Sequence, residues 1–197
     1  MENPDNRVEY DIWYTSTDDR AMDFIDNFMQ YDKLLGDKVL MTPHYVTFDC
    51  RDCDEEYKKK ECFDNGRFCA LNHKNVKMKG QEIIKEDIRQ ACVYNQSVAS
   101  KGTGELYWSY MKRAHAISSD YINEDTSKAA HKDVGLNWNK TSQCLLDTFN
   151  IDSLNNLKHT LYNSFLDSER TYWNNYGANF YPSIVINNRT YRGVFEP

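Results

Sequence analysis

Proline and glycine are scarce, at 4 and 8 of 197 residues, which excludes a collagen-like, low-complexity or linker-dominated chain. Long apolar runs are missing as well. No stretch of about 18 apolar residues occurs, so the sequence predicts no membrane-spanning helix. The polar start MENPDNRVEY lacks the apolar centre of a secretory leader. If this chain works in a lumen, it is expected to be a fragment of a longer protein. Positive charge is thin and scattered: 24 Lys and Arg against 30 Asp and Glu give a net charge of -6 and a pI near 5.4. That balance argues against a nucleic-acid or anionic-membrane surface. The histidines, His44, His73, His115, His131 and His159, are dispersed and read as satisfied surface or core residues, so no metal site and no cofactor are expected. His115, on a helical stretch, is the one that draws notice as a group charging near ~6.5. With 40% hydrophobic and 14% aromatic residues, one domain with its own core is the expectation.

Val8-Glu-Tyr-Asp-Ile-Trp-Tyr-Thr15 alternates as a strand does, and Ser16-Thr-Asp-Asp19 offers N-caps for a helix carrying Ala21, Phe24, Ile25, Phe28 and Leu35 at helical spacing. Strand then helix is how a thioredoxin-like domain begins. In such folds a reactive C-x-x-C sits at this junction, where the positive helix end lowers the thiol pKa. Here the junction reads Thr15-Ser-Thr-Asp-Asp-Arg20 and holds no cysteine.

A second strand, Met41-Thr-Pro-His-Tyr-Val-Thr-Phe-Asp-Cys50, leads into Cys50, Cys53, Cys62 and Cys69 within a segment too charged to bury a core by itself. Three readings compete: structural disulfides, a four-cysteine zinc site, or a redox pair at Cys50 and Cys53. Six residues separate Cys62 from Cys69, so the second half of a zinc ribbon is missing. No helical pattern begins at Cys53 to activate a thiol.

After Gly80 the period becomes helical. Ile84, Ile88, Ala91, Cys92 and Asn95 form one stripe; Leu106, Tyr107, Tyr110, Met111, Ala114 and Ile117 form a second; Leu154, Leu157, Leu161, Phe165 and Tyr172 form a third, capped by Asp152-Ser153. A shorter helix spans about Ser142 to Phe149. Cys92 and Cys144 lie among apolar neighbours on two helices, either cross-linked or as buried thiols. The expected pairing is two disulfides among Cys50, Cys53, Cys62 and Cys69, and one between Cys92 and Cys144. The chain closes with Pro182, a β-branched run from Ser183 to Ile186, an Asn187-Asn188 turn and Thr190-Tyr-Arg, which reads as a hairpin. Sequons occur at Asn95, Asn139 and Asn188, glycosylation candidates that a chain this rich in Asn, Ser and Thr also produces by chance.

Four segments in order resemble the lumenal domain of the vacuolar sorting receptors: Thr42-Pro-His-Tyr-Val-Thr-Phe-Asp-Cys50, Cys62-Phe-Asp-Asn-Gly-Arg-Phe-Cys-Ala70, Arg89-Gln-Ala-Cys-Val-Tyr94, and Tyr181-Pro-Ser-Ile-Val-Ile-Asn-Asn-Arg-Thr-Tyr-Arg-Gly193. The resemblance implies an α/β fold, a thioredoxin-like sheet with an inserted, disulfide-supported helical subdomain. One domain over 1–197 is expected, its sheet part at 7–75 and 178–197 and its helical insertion at 80–176. It further implies a protease-associated domain before this one, EGF-like repeats after it, a membrane span, and a place on the lumenal side of Golgi, prevacuolar, endosomal or vacuolar membranes. The expected partners are soluble vacuolar or lysosomal cargo proteins or their sorting peptides, and those neighbouring domains. The departures are Asp18-Asp19-Arg20 at the first junction and a single cysteine, Cys144, after Cys92. Glu61-Cys-Phe-Asp-Asn-Gly-Arg-Phe-Cys69 is also similar to a segment of the lysosomal thiol reductases, which makes a thiol–disulfide oxidoreductase using Cys50 and Cys53 the alternative function. A purely structural ectodomain module is the third. The resemblance also implies a cis Tyr181–Pro182 bond facing the Thr15–Arg20 turn, and a cargo-contacting surface of Thr15, Ser16, Asp18, Arg20, Tyr181 and Pro182 without catalysis.

Overall fold

The alternating stretch from Val8 forms the centre of the molecule. A computed structural model describes residues 6–71, 78–118, 122–176 and 180–191. His73, and the end of the hairpin at 192–193, lie outside the described residues. Strand β1 (Val8–Tyr14) pairs in parallel with β2 (Val39–Tyr45) and antiparallel with β6 (Ser183–Ile186), which in turn pairs with β7 (Arg189–Tyr191). The sheet order is β2-β1-β6-β7. Asn187 and Asn188 take φ of 46° and 63°, the left-handed values that a two-residue hairpin turn needs and that Asn tolerates.

Alternation along β1 decides what covers each face. Tyr10, Ile12 and Tyr14 pack under helix α1 (Asp19–Leu35), whose Ala21, Met22, Phe24, Ile25 and Met29 point inward. Trp13 faces the other way, with Val46 and Val185, and meets Trp173 of helix α7 (Ser164–Tyr176). Strand β2 ends the sheet, and its edge is blunted. Val46 N–H bonds the Tyr14 carbonyl at 3.0 Å, so by alternation the odd-numbered residues of β2 point their amides away from β1. Pro43 has no amide to leave open there, and that of Tyr45 is taken by Glu169 at 2.7 Å.

A second sheet, in the order β3-β5-β4, is built from β3 (Thr47–Phe48), β4 (Cys62–Phe63) and β5 (Phe68–Ala70). It carries the short helix α2 (Glu55–Glu61), capped by Asp54. The helical part follows as α3 (Gly80–Lys101), α4 (Glu105–Ile117), α5 (Glu124–Val134) and α6 (Trp138–Phe149). Ile83, Ile84 and Ile88 of α3 meet Phe63 and Phe68 of the small sheet, Leu145 and Phe149 of α6, and Leu166 of α7 in one apolar cluster. The third predicted stripe is not one helix. Ser153 caps only a single 3-10 turn, Leu154–Asn156, and α7 begins afresh at Ser164, with Asn163 Oδ1 accepting the Leu166 amide at 2.9 Å.

The six cysteines pair as Cys50–Cys53, Cys62–Cys69 and Cys92–Cys144. Cys62 faces Cys69 across the β4–β5 ladder, and the third bridge ties α3 to α6. All six thiols are therefore consumed, which leaves no thiolates for a four-cysteine zinc site.

Candidate functional site

The junction between β1 and α1 is a closed turn. Asp18 N–H bonds the Thr15 carbonyl at 2.9 Å, and Asp18 Oδ1 accepts the amides of Arg20 and Ala21 at 3.1 and 3.3 Å as the N-cap of α1. A carboxylate thus occupies the positive helix end, the position at which a redox-active fold would stabilise a thiolate. Thr17 Oγ1 donates to the Leu71 carbonyl at 3.3 Å. Beneath the turn lies a residue that the sequence pattern did not single out. Asp87, on α3, accepts the Ser16 amide at 2.8 Å and lies 3.5 Å from the Thr15 hydroxyl.

Thr15, Ser16, Thr17 and Asp18 are buried, at 0%, 5%, 5% and 1% exposure, so this turn offers few side-chain groups to a partner. Arg20 does offer one. Its side chain is 68% exposed, with Nε 3.6 Å from Asp18 Oδ1. The register that pairs Trp13 with Ser183 brings Pro182 and Tyr181 alongside the end of β1, and the Tyr181–Pro182 bond is cis. Pro182 is buried, while Tyr181 is half-buried beside Trp173 and Leu71 over the Trp13 indole. Burial, with the Asp18 charge adding to it, raises the Tyr181 phenol pKa, and Arg20 opposes the shift. The structure therefore brings all six expected residues together, but only Arg20 and the Tyr181 ring form an accessible edge. Trp173 and Leu71 complete that edge. They were not anticipated, because neither lies near the turn or the hairpin in sequence.

Polar groups behind the turn form a buried network. The Tyr14 hydroxyl bonds those of Tyr45, at 3.0 Å, and Tyr107, and donates to Gln90 Oε1 at 3.1 Å. Glu86 accepts from Tyr110 at 2.7 Å, Arg89 at 3.1 Å and Gln90 at 3.2 Å. Burial pushes Glu86 up to about 6 against the pull of Arg89 and these donors. Burial also pushes Asp87 up to about 7, opposed by the Ser16 and Thr15 hydrogen bonds and helped by the Glu86 charge. His115 departs from the sequence expectation: burial against α1 lowers its pKa, with Asp26, Asp19 and Asp23 opposing. It therefore charges at lower pH than a free imidazole.

Cys50 and Cys53 form a half-exposed bridge ahead of α2. Both precede Asp54, the N-cap of α2, so neither thiol sits within the first helical turn. Asp49, Asp52 and Glu55 flank them, together with the cations Arg51 and Lys58, which pair with Asp49 at 2.8 Å and Glu55 at 2.5 Å. The sequence pattern had missed this helix, whose N-terminus lies one residue beyond Cys53 and is capped by Asp54.

The sequence model of the vacuolar sorting receptor thioredoxin-like domain matches residues 8–197. The chain belongs to that family. It is 28% identical to vacuolar-sorting receptor 7 of Arabidopsis thaliana and 28% identical to vacuolar-sorting receptor 1 of Pisum sativum. Each alignment covers 98% of this chain and 33% of the receptor. The chain thus spans about a third of the length of these relatives, which are receptors by name. Among solved structures, it is similar to the thiol-disulfide exchange protein α-DsbA2 of Wolbachia pipientis, with a TM-score of 0.55 at 10% identity over 97% of this chain and 76% of that one. Chlamydia trachomatis DsbA gives 0.54 at 10% identity over 98% and 82%. At such identity the likeness shows the fold alone. Among the described residues no helix is long and apolar enough to cross a membrane.

Proposed function

We propose that this domain is a non-catalytic lumenal module of a vacuolar or lysosomal sorting receptor, and that it contributes to binding soluble cargo proteins through an extended segment laid along Arg20, Tyr181, Trp173 and Leu71. One observation carries the reading: Asp18, not a thiol, caps the helix at the position where a thioredoxin-like enzyme reacts, while all six cysteines are cross-linked elsewhere. An edge of two half-buried aromatic rings beside one exposed guanidinium suits a peptide with an apolar side chain next to a carboxylate. Thr15, Ser16, Asp18 and Pro182 then act as the floor and frame of the groove. Its neighbours would be the protease-associated and EGF-like domains of the same receptor, on the lumenal side of Golgi, endosomal or vacuolar membranes. Asn95, Asn139 and Asn188 are exposed and are the proposed glycan acceptors.

The test is a receptor ectodomain assayed with and without this domain for retention of a soluble vacuolar hydrolase, alongside an insulin-reduction assay. Weaker retention without the domain and no reduction by it support the reading. Equal retention makes the module purely structural, and turnover dependent on Cys50 and Cys53 makes it an oxidoreductase.

A further inference from the structure

Asp87 is 1% exposed and is held on the inner face of α3. It accepts the Ser16 amide at 2.8 Å and the Thr15 hydroxyl at 3.5 Å, and the Ser16 side chain adds a third neutral donor. The groups that face it are Glu86 on its own helix, Tyr14 on β1, Tyr107 on α4, and Thr15 and Ser16 in the turn. None of these is a cation. Arg89, one turn along, has its guanidinium 3.1 Å from Glu86 and 3.5 Å from Glu124. A buried carboxylate whose donors are all neutral, with a like charge beside it, is an expensive anion.

We propose that Asp87 is a proton-operated latch beneath the Thr15–Asp18 turn, gripping the Ser16 amide and the Thr15 hydroxyl as a carboxylate and loosening that grip when it takes up a proton. The proton comes from solvent and forms an O–H bond on Oδ2, the oxygen facing Thr15. That oxygen, an acceptor until then, becomes a donor, so the Thr15 hydroxyl must turn its own hydrogen away. The Ser16 amide keeps a bond to Oδ1, but to a neutral carbonyl, and loses the charge assistance that makes such bonds roughly twice as strong. Burial sets the folded pKa at about 7, above the ordinary 3.8. With the folded form binding the proton more tightly than the unfolded chain, the contribution of Asp87 to stability rises as pH falls through this range. Acidification therefore frees the turn locally while the fold is held. The inference rests on the peptide-groove reading only for its consequence, a binding edge whose Arg20 is carried by the turn that Asp87 holds.

The experiment is a titration of the isotopically labelled domain from pH 5 to 8.5 without peptide. It follows the Asp87 carboxyl carbon and the Ser16 amide, in the wild type and in Asp87→Asn. Asparagine accepts at Oδ1 and donates from Nδ2, the pattern of the protonated acid. We expect both wild-type resonances to inflect near pH 7 and the Ser16 amide to lose about tenfold in hydrogen-exchange protection on the acid side, beyond the change in intrinsic rate. Asp87→Asn should be flat, with Ser16 near the acid limit of the wild type. A wild-type carboxyl that does not titrate over this range overturns the latch, as does a Ser16 inflection that persists in Asp87→Asn. If Asp87→Asn does not fold, the wild-type carboxyl resonance and the Ser16 protection decide. Because no peptide is present, the outcome stands apart from whether the groove binds cargo.

Discussion

His44 Nδ1 lies 3.1 Å from both carboxylate oxygens of Glu169, 125 residues away in sequence. Its Nε2 lies 3.6 Å from Asp11 Oδ1, and the ring stacks on Trp13 at 4.3 Å with an 11° tilt. One buried imidazole thus joins β1, β2 and α7. Burial alone lowers its pKa, but the hydrogen bonds and charges of Asp11 and Glu169 outweigh this and hold it protonated, up to about 9.

The sign of the pH effect follows. A cation whose folded pKa lies above the ordinary 6.5 adds stability that is fully present below about pH 6.5 and is lost as pH rises through 9. His44→Gln should therefore cost on the order of 3 kcal/mol at pH 6 and much less at pH 9.5, read from urea midpoints. A gap between the two proteins that does not change with pH contradicts this account of the pair.

The three bridges should differ in weight. Cys92–Cys144 closes a separation of 52 residues, against 7 for Cys62–Cys69 and 3 for Cys50–Cys53. Loop-closure entropy predicts a loss of about 4 kcal/mol for Cys92→Ala with Cys144→Ala, and about 2 kcal/mol for the shortest loop. Denaturant unfolding of the two double variants checks the order, and equal losses would show that chain entropy is not what these bridges supply.

Gly66 is fixed by its backbone. Its φ is +95°, and a Cβ there would lie 2.6 Å from the Cys50 carbonyl oxygen, whose own amide bonds the Gly66 carbonyl at 2.7 Å. Gly66→Ala should destabilise by about 1–3 kcal/mol from the φ penalty, before the clash is counted. It should also slow formation of the neighbouring Cys50–Cys53 bridge, visible by thermal melting and thiol counting during refolding. An unchanged melting temperature would refute this.

What was legible in the sequence was whatever local pattern dictates. The alternation from Val8, the positive-φ Asn187-Asn188 turn and the stripe from Ile84 each name their element, because side-chain period and backbone sterics act over a few residues. Helix α2 was hidden by its charge: Glu55-Glu-Tyr-Lys-Lys-Lys-Glu61 has no apolar stripe. The signals that could have found it were the Asp54 cap, acids leading and lysines trailing along the helix dipole, and the Glu56–Lys60 pair. The break in the third stripe was hidden for the opposite reason. Leu154, Leu157 and Leu161 keep helical spacing while packing into the cluster of Phe63 and Phe149 from a segment that holds only one 3-10 turn. The partner of Asp87 was out of reach because Ser16 is 71 residues away; its inward orientation was legible, since Asp87 lies three residues after Ile84 and four before Ala91 on the apolar stripe.

The most direct test of the central claim is fluorescence anisotropy with a labelled synthetic propeptide of a soluble vacuolar hydrolase, titrated with the wild-type domain, Tyr181→Ala, Arg20→Ala, and the double variant Cys50→Ser with Cys53→Ser. A domain that binds without reacting gives saturable binding that weakens by about tenfold or more in Tyr181→Ala, the loss expected for an anchoring aromatic. It weakens less in Arg20→Ala and is unchanged without the Cys50–Cys53 bridge. Binding that ignores Tyr181 and Arg20, or that disappears with Cys50 and Cys53, would contradict the account.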